Sequence, residues 1–239
     1  MLRSGLFLFT YVILTIFWGS LGVLFGWLLP FRARFAFIIG AWTAMVLWAF
    51  RHLCGVRVEV EGREHIPKTP CLVLARHEST WETLFLQQLF APQATVIKRE
   101  LLAIPFFGWA FSLLKPIAID RRDGRGALKT LIREGKARLE AGVWVVLFPE
   151  GTRLAPTTLG AFGRGGPALA IAAKAPVILV AHNAGDRWPA RRWRKYSGTL
   201  RVRISPPFLA EGESSSAFTQ RLEHWLHDAQ QSLRPPPSN

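Results

Sequence analysis

A histidine and a glutamate separated by four residues, His77 and Glu82, sit within the run Arg76-His77-Glu78-Ser79-Thr80-Trp81-Glu82. An alcohol has a pKa far above neutrality and is a poor nucleophile by itself. A neutral imidazole can take its proton as the attack proceeds, an effect worth about a hundredfold to ten-thousandfold. The imidazole then needs one fixed tautomer and a counter-charge for the imidazolium that forms, and a carboxylate on its other ring nitrogen supplies both. Glu82 meets this need if His77 lies in the loop before a helix and Glu82 in its first turn. The plainer reading of the same residues is a capping box, with Ser79 at the N-cap and Glu82 reaching back to its backbone N–H. His182, which follows an apolar run, is the rival histidine.

A second run, Phe148-Pro149-Glu150-Gly151-Thr152-Arg153, offers a grip for an anion. Exposed N–H groups around Gly151, the Thr152 hydroxyl and the Arg153 guanidinium would surround a phosphate, and the planar fork of arginine suits phosphate oxygens. Glu150 is placed to orient that arginine. The alternative is a strand ending in a tight glycine turn. Arg121, in Ile117-Ala118-Ile119-Asp120-Arg121-Arg122, is either a second phosphate ligand or half of a surface ion pair. Pro176 and Val177 open a fourth apolar stretch that lines a channel or fills the core. The first two runs together point to proton abstraction from an alcohol that carries a phosphate.

These residues need a scaffold to bring them together. Beyond residue 55 the chain alternates between short apolar runs and amphipathic stretches. Strands are expected at Val56–Val60, Cys71–Ala75, Ala94–Ile97, Pro116–Ile119, Val143–Phe148, Val177–Ala181 and Leu200–Ile204. Helices are expected at Ser79–Phe90, Pro105–Leu114, Gly126–Ala141 and Ser214–Ser232. Such alternation implies an α/β domain with a mixed, largely parallel sheet and flanking helices, whose ligands sit at the loops beyond the strand ends. His77 and Phe148–Arg153 each follow a strand, so they can converge.

The N-terminal region differs. No charged residue occurs from Ser4 to Phe31, longer than the roughly 20 residues that cross a bilayer core. A second uncharged run, Phe35–Phe50, would rise only about 24 Å as a helix. With no small-residue cleavage site, a retained anchor is expected over a signal peptide, and Gly19, Gly22 and Gly26 would let the two segments pack closely. The division is then residues 1–54 as a membrane-anchoring helical pair, 55–232 as a catalytic domain and 233–239 as a disordered tail. With 30 Lys+Arg against 16 Asp+Glu, the surface favours polyanions. Ten Trp residues and the apolar N-terminus select lipid over nucleic acid among them. Arg187 to Tyr196, in which basic and aromatic residues interleave, is read as a patch for anionic headgroups. Two cysteines, Cys54 and Cys71, exclude a disulfide framework.

In order and spacing, the four elements resemble the motifs of the glycerolipid acyltransferases, the family that acylates lysophosphatidic acid, over about residues 55–205. The family's histidine, four residues and aspartate correspond to His77 and, with a substitution, Glu82. Its second motif corresponds to Asp120-Arg121, its third to Phe148–Arg153 unchanged, and its fourth to Pro176-Val177-Ile178. The resemblance implies that His77 is the general base toward the free hydroxyl of lysophosphatidic acid. Arg153, Gly151 and Arg121 then hold its phosphate, while acyl-CoA or acyl-carrier protein supplies the acyl chain. It also implies no metal, no further cofactor, and a site at the inner membrane facing the cytoplasm. Other lysolipid acceptors, a thioester hydrolase and a non-catalytic basic membrane protein are the alternatives.

Overall fold

The computed structural model describes residues 1–120, 122–158 and 160–234. Among them are seven strands: β1 (Val56–Glu61), β2 (Leu72–Ala75), β3 (Gln93–Lys98), β4 (Ile117–Ile119), β5 (Trp144–Leu147), β6 (Val177–His182) and β7 (Gly198–Ile204). They form one sheet in the order β1-β7-β6-β2-β5-β3-β4. From β6 to β4 every pairing is parallel; β7 runs antiparallel to β6 and pairs in parallel with β1. All seven expected strands are present.

The helices are α1 (Leu2–Phe25), α2 (Phe31–Cys54), α3 (Trp81–Leu89), α4 (Phe107–Ser112), α5 (Gly124–Glu140), α6 (Gly165–Ala173), α7 (Ala184–Arg187) and α8 (Ser215–Ser232). α6 has no counterpart in the expected elements. Its sequence opens Gly-Gly-Pro and is then Ala, Leu and Ile on every side, so it carries no polar face and no 3.6-residue stripe for a periodicity argument to find. A Cβ at Gly166 would lie 2.7 Å from Leu74, so the glycine lets α6 lie directly on β2.

Period-2 alternation along the strands divides the core into two layers. Leu72, Leu74, Val145, Leu147, Val177 and Leu179 face α5, α6 and α8. Cys71, Val73, Ala75, Val146, Ile178 and Val180 face α1, α2, α3 and α4. The N-terminal helices, expected as an anchoring pair over residues 1–54, thus pack as one layer against the sheet formed by residues beyond 55. Phe7 of α1 and Phe50 of α2 pack on the buried Trp188, with ring centroids 4.8 and 4.9 Å apart.

α2 is also longer than its uncharged run. It begins at Phe31 and includes Arg32 and Arg34. The Arg34 guanidinium donates to the carbonyls of Gly26 (2.9 Å), Leu29 (2.9 Å) and Leu113 (3.2 Å), which gives its N–H groups acceptors and ties the α1–α2 turn to the end of α4. Residues 36–40 form a π-helical turn, and the Trp18 indole donates to the Phe37 carbonyl there (2.7 Å). The glycine stripe on α1 receives two partners: Gly22 and Gly26 meet Ile38 of α2, while Gly19 and Gly22 meet Phe106 and Ala110 at α4.

The outer face of α1 remains apolar and exposed, with Leu6, Phe9, Ile13, Phe17 and Leu24 each at least 48 % accessible. Leu101, Ile104, Phe106 and Trp109 extend that surface. Exposed apolar area on this scale marks an interaction with lipid or another apolar surface. Both helices are long and apolar enough to cross a membrane, and such helices suit membrane association.

Leu233, assigned above to a disordered tail, is 2 % exposed, and Arg234 is ion-paired to Glu78 and Asp186. The ordered domain therefore continues past residue 232; residues 235–239 lie outside the described residues.

Candidate active site

β2 and β5 are hydrogen-bonded neighbours, with Leu74 opposite Leu147. Because they run parallel, the loops that follow them leave the same edge of the sheet. His77 and Phe148–Arg153 are thereby brought together, as their positions after strands required. The joining contacts are specific. The Leu154 N–H donates to the His77 carbonyl (2.9 Å), the Glu150 carboxylate accepts from the His77 N–H (3.0 Å), and the Phe148 ring stacks on the imidazole with centroids 4.1 Å apart.

His77 Nδ1 lies 2.8 Å from Glu82 Oε1. The same oxygen accepts from the backbone N–H groups of Glu78 (3.1 Å) and Ser79 (2.9 Å), while Ser79 Oγ accepts from the Trp81 N–H (3.0 Å). The capping box and the histidine–carboxylate pair are thus the same structure. The cap aims Oε1 at the ring, and one residue serves both readings. Glu82 is fully buried, and its Oε2 has no partner among the described residues. Burial alone would raise the Glu82 carboxyl, but the hydrogen bond from His77 and the neighbouring positive and N–H dipoles carry it below the ordinary value. The carboxylate is therefore ionised. Burial pushes the His77 pKa down, and the bond and charge of Glu82 oppose this without reversing it. At neutral pH the imidazole is uncharged. Glu82 holds the proton on Nδ1, and Nε2 makes no hydrogen bond among the described residues, so its lone pair is available as a base.

The phosphate-binding candidates fare differently. Gly151 adopts a left-handed conformation (φ +67°), and its N–H is spent on the Phe148 carbonyl (3.0 Å). Its contribution is the turn itself, which leaves the N–H groups of Thr152 and Arg153 without backbone partners among the described residues. Both residues are exposed. Arg153 Nε donates to the Ser79 carbonyl (3.0 Å), which anchors the side chain beside the His77 loop and leaves its terminal nitrogens free of any described partner. Its charge is near enough to lower the His77 pKa further.

Glu150 does not orient Arg153. Its oxygens are taken by the His77 N–H and by Nη1 of Arg76, and the side chain is 3 % exposed. The parallel register of β2 and β5 sets the Glu150 carboxylate against the His77 backbone N–H. Arg121 lies outside the described residues. Its neighbour Asp120 pairs with Arg122 at 2.8 Å on the surface, about 10 Å along the sheet from β5 at two strand spacings.

Val177 begins β6, with Pro176 just before it, level with Leu72 and so about 10 Å from the edge that carries His77. Val177 is fully buried between the sheet and α5, α6 and α8, which makes this pair support for the core and removes it from the site. His182 is a satisfied core residue. It is 1 % exposed, its Nε2 donates to the Arg76 carbonyl (2.9 Å), and its Nδ1 accepts from the Ala184 N–H (3.3 Å). Burial raises the Cys71 thiol to about 12, which disqualifies it as a nucleophile at neutral pH. In the basic–aromatic run, Trp188 is buried and Lys195 is spent on local carbonyls, while Arg191, Arg192, Trp193 and Arg194 are exposed.

Sequence reading missed Glu78 as part of the site and gave Phe148 no role beyond opening its motif; Arg76, which by its charge would make an acceptor pocket more basic, is instead 1 % exposed and paired with Glu78 and Glu150. The one available signal was an arginine and a glutamate flanking the histidine in the short loop that leaves an apolar strand.

The chain is similar to several known proteins. The Acyltransferase family model matches residues 57–183. A 1-acyl-sn-glycerol-3-phosphate acyltransferase of Pseudomonas aeruginosa is 48 % identical over 221 residues, covering 91 % of this chain and 86 % of that protein. The human 1-acyl-sn-glycerol-3-phosphate acyltransferase alpha is 31 % identical over 75 % of this chain and 66 % of its own length. The crystal structure of the acyltransferase PlsC from Thermotoga maritima superposes with a TM-score of 0.80 at 22 % identity, over 98 % of this chain and 97 % of that one, which shows a shared fold. With a histidine–carboxylate pair and an arginine-bearing turn at one sheet edge, this chain belongs to the glycerolipid acyltransferase family and is an O-acyltransferase.

Proposed function

We propose that the protein transfers an acyl chain from a thioester donor, acyl-CoA or acyl-carrier protein, to the free hydroxyl of 1-acyl-sn-glycerol-3-phosphate, giving phosphatidic acid. The observation that carries the reading is the 2.8 Å contact of His77 Nδ1 with a buried, ionised Glu82, which leaves Nε2 open beside Arg153. The names of the relatives support the choice of acceptor.

The terminal nitrogens of Arg153, the Thr152 hydroxyl and the N–H groups of residues 152 and 153 take the acceptor phosphate. That contact places the hydroxyl near Nε2 and converts a bimolecular encounter into an oriented one. As the hydroxyl oxygen bonds to the thioester carbonyl carbon, its proton passes to Nε2, and Glu82 stabilises the imidazolium. When the carbon–sulfur bond breaks, His77 returns the proton to the departing sulfur. No acyl-enzyme and no metal or prosthetic group enters this sequence.

α1 lies along the domain, fixed near its start by Ser4 to Lys195 (2.9 Å) and near its end by Gly22 and Gly26. A helix held at both ends against a layered sheet does not also cross about 30 Å of hydrocarbon. We infer that α1 and α2 enter one leaflet, with the site on the cytoplasmic side of the inner membrane where thioester donors are made.

The test is acyl transfer in vesicles with each donor, wild type beside His77→Ala. Phosphatidic acid from wild type and none from His77→Ala is expected. Equal product from His77→Ala would sink the mechanism. Equal rates with lysolipids whose phosphate carries a head group would overturn the acceptor, and free acid released without an acceptor would favour a hydrolase.

A further inference from the structure

The residues flanking His77 are both charged, and both are 1 % exposed. Burying charge is expensive unless every charge has partners, and these do. Arg76 Nε donates to Glu78 Oε1 (3.1 Å), its Nη1 pairs with Glu150 Oε1, and its Nη2 donates to the carbonyls of Ala155 (3.3 Å) and Thr158. Glu78 Oε1 also accepts from Gln230 of α8 (2.6 Å). Glu78 Oε2 accepts from the Gly185 N–H (3.1 Å) and from Arg234 Nη2 (2.6 Å). Arg234 in turn reaches Asp186 through Nε (3.2 Å). The network runs from the turn after α8, through Glu78, to the peptide that presents the base.

A path from this network to the chemistry is visible. The Glu78 N–H donates to the Glu82 oxygen that holds His77, and Glu150, paired with Arg76, accepts from the His77 N–H. Residue 78 cannot shift without moving one donor away from Glu82, and residue 76 cannot shift without disturbing the backbone of the base. Arg234 supplies a full positive charge to Glu78 from outside the sheet and touches none of His77, Glu82 or Arg153.

We propose that Arg234 is a positioning residue: through the Glu78 carboxylate it fixes the loop that carries His77. The proposal rests on His77 being the base. A displacement of about 1 Å at a reacting group costs up to a hundredfold in rate. The loosening expected here is smaller, because Gln230 and the Gly185 N–H still hold Glu78.

The experiment measures kcat and KM for acceptor and donor in vesicles, with thermal unfolding alongside, for Arg234→Ala, Arg234→Lys and His77→Ala. The expected result is a kcat lower by about tenfold in Arg234→Ala with both KM values within twofold. Arg234→Lys, which keeps a charge within reach of Glu78, should recover most of the rate. Wild-type kcat in folded Arg234→Ala, or a loss confined to KM, would overturn the proposal. If Arg234→Ala does not fold, Asp186→Asn carries the test. It frees the far side of the guanidinium and should lower kcat by about threefold, and an unchanged kcat refutes the idea. Activity in His77→Ala would instead remove the base reading, whatever Arg234→Ala does.

Discussion

Glu82→Gln separates the two jobs that one oxygen performs. The amide keeps an oxygen at the position of Oε1, so the cap donors at Glu78 and Ser79 and the His77 Nδ1–H retain an acceptor. The amide nitrogen takes the place of Oε2, which has no partner to lose. What disappears is the charge. Two unit charges at the observed 2.8 Å interact by about 6 kcal/mol at an effective permittivity near 20, which is the ceiling on the loss. The difference between a charge-assisted and a neutral hydrogen bond, about 1–2 kcal/mol, is the floor. A loss near 3 kcal/mol lies between them and corresponds to a kcat about a hundredfold lower. Because Glu82 is fully buried and away from the phosphate turn, acceptor KM should stay within twofold. The melting temperature should move little. Steady-state acyl transfer with vesicle-bound lysophosphatidic acid reads both constants, and His77→Ala/Glu82→Gln should be no worse than His77→Ala alone, since the carboxylate acts through the ring. A kcat within threefold of wild type would refute the reasoning and leave Glu82 as a helix cap only.

Four further outcomes follow from the geometry. His77 must be neutral to act, and its pKa is held below the ordinary 6.5, so the acid limb of kcat/KM should have its midpoint below pH 6.5. Glu82 raises the His77 pKa from within, so Glu82→Gln should move that acid limb to lower pH; a shift to higher pH would contradict the assignment. Arg153→Ala should raise acceptor KM by at least tenfold, because it removes a charge-assisted contact to phosphate worth about 1.5–3 kcal/mol, and rising salt should weaken wild-type acceptor binding more than the variant's. A double Phe9→Asp/Phe17→Asp change on the exposed face of α1, where both rings are more than half accessible, should release the protein from vesicles in a flotation assay while leaving its melting temperature within a few degrees; retention on vesicles would show that another surface anchors it.

All seven strands were legible because each carries its own signal, an apolar run or alternation bounded by turns, and parallel pairing buries the central ones on both faces. The His77–Glu82 pair was legible because its spacing is short enough for one loop and one helical turn to set the geometry. α6 was not, because a helix that is apolar on every side has no stripe. The partner of Glu150 was not, because that depends on the register of two strands whose contacting residues are 73 positions apart.

Residue types and local spacing therefore determined the chemistry on offer: a base with its carboxylate, a turn bearing an arginine, and apolar helices beside them. Those features arise within a few residues, where backbone geometry alone relates the groups. Long-range packing decided the remainder. It turned α1 and α2 into a layer of the domain, took Pro176 and Val177 out of the site and gave Glu150 to Arg76. It also joined Arg234 to Glu78 across 156 positions. A buried charge accepts whichever opposite charge the fold brings within about 3 Å, and no local pattern in the chain specifies which one that is.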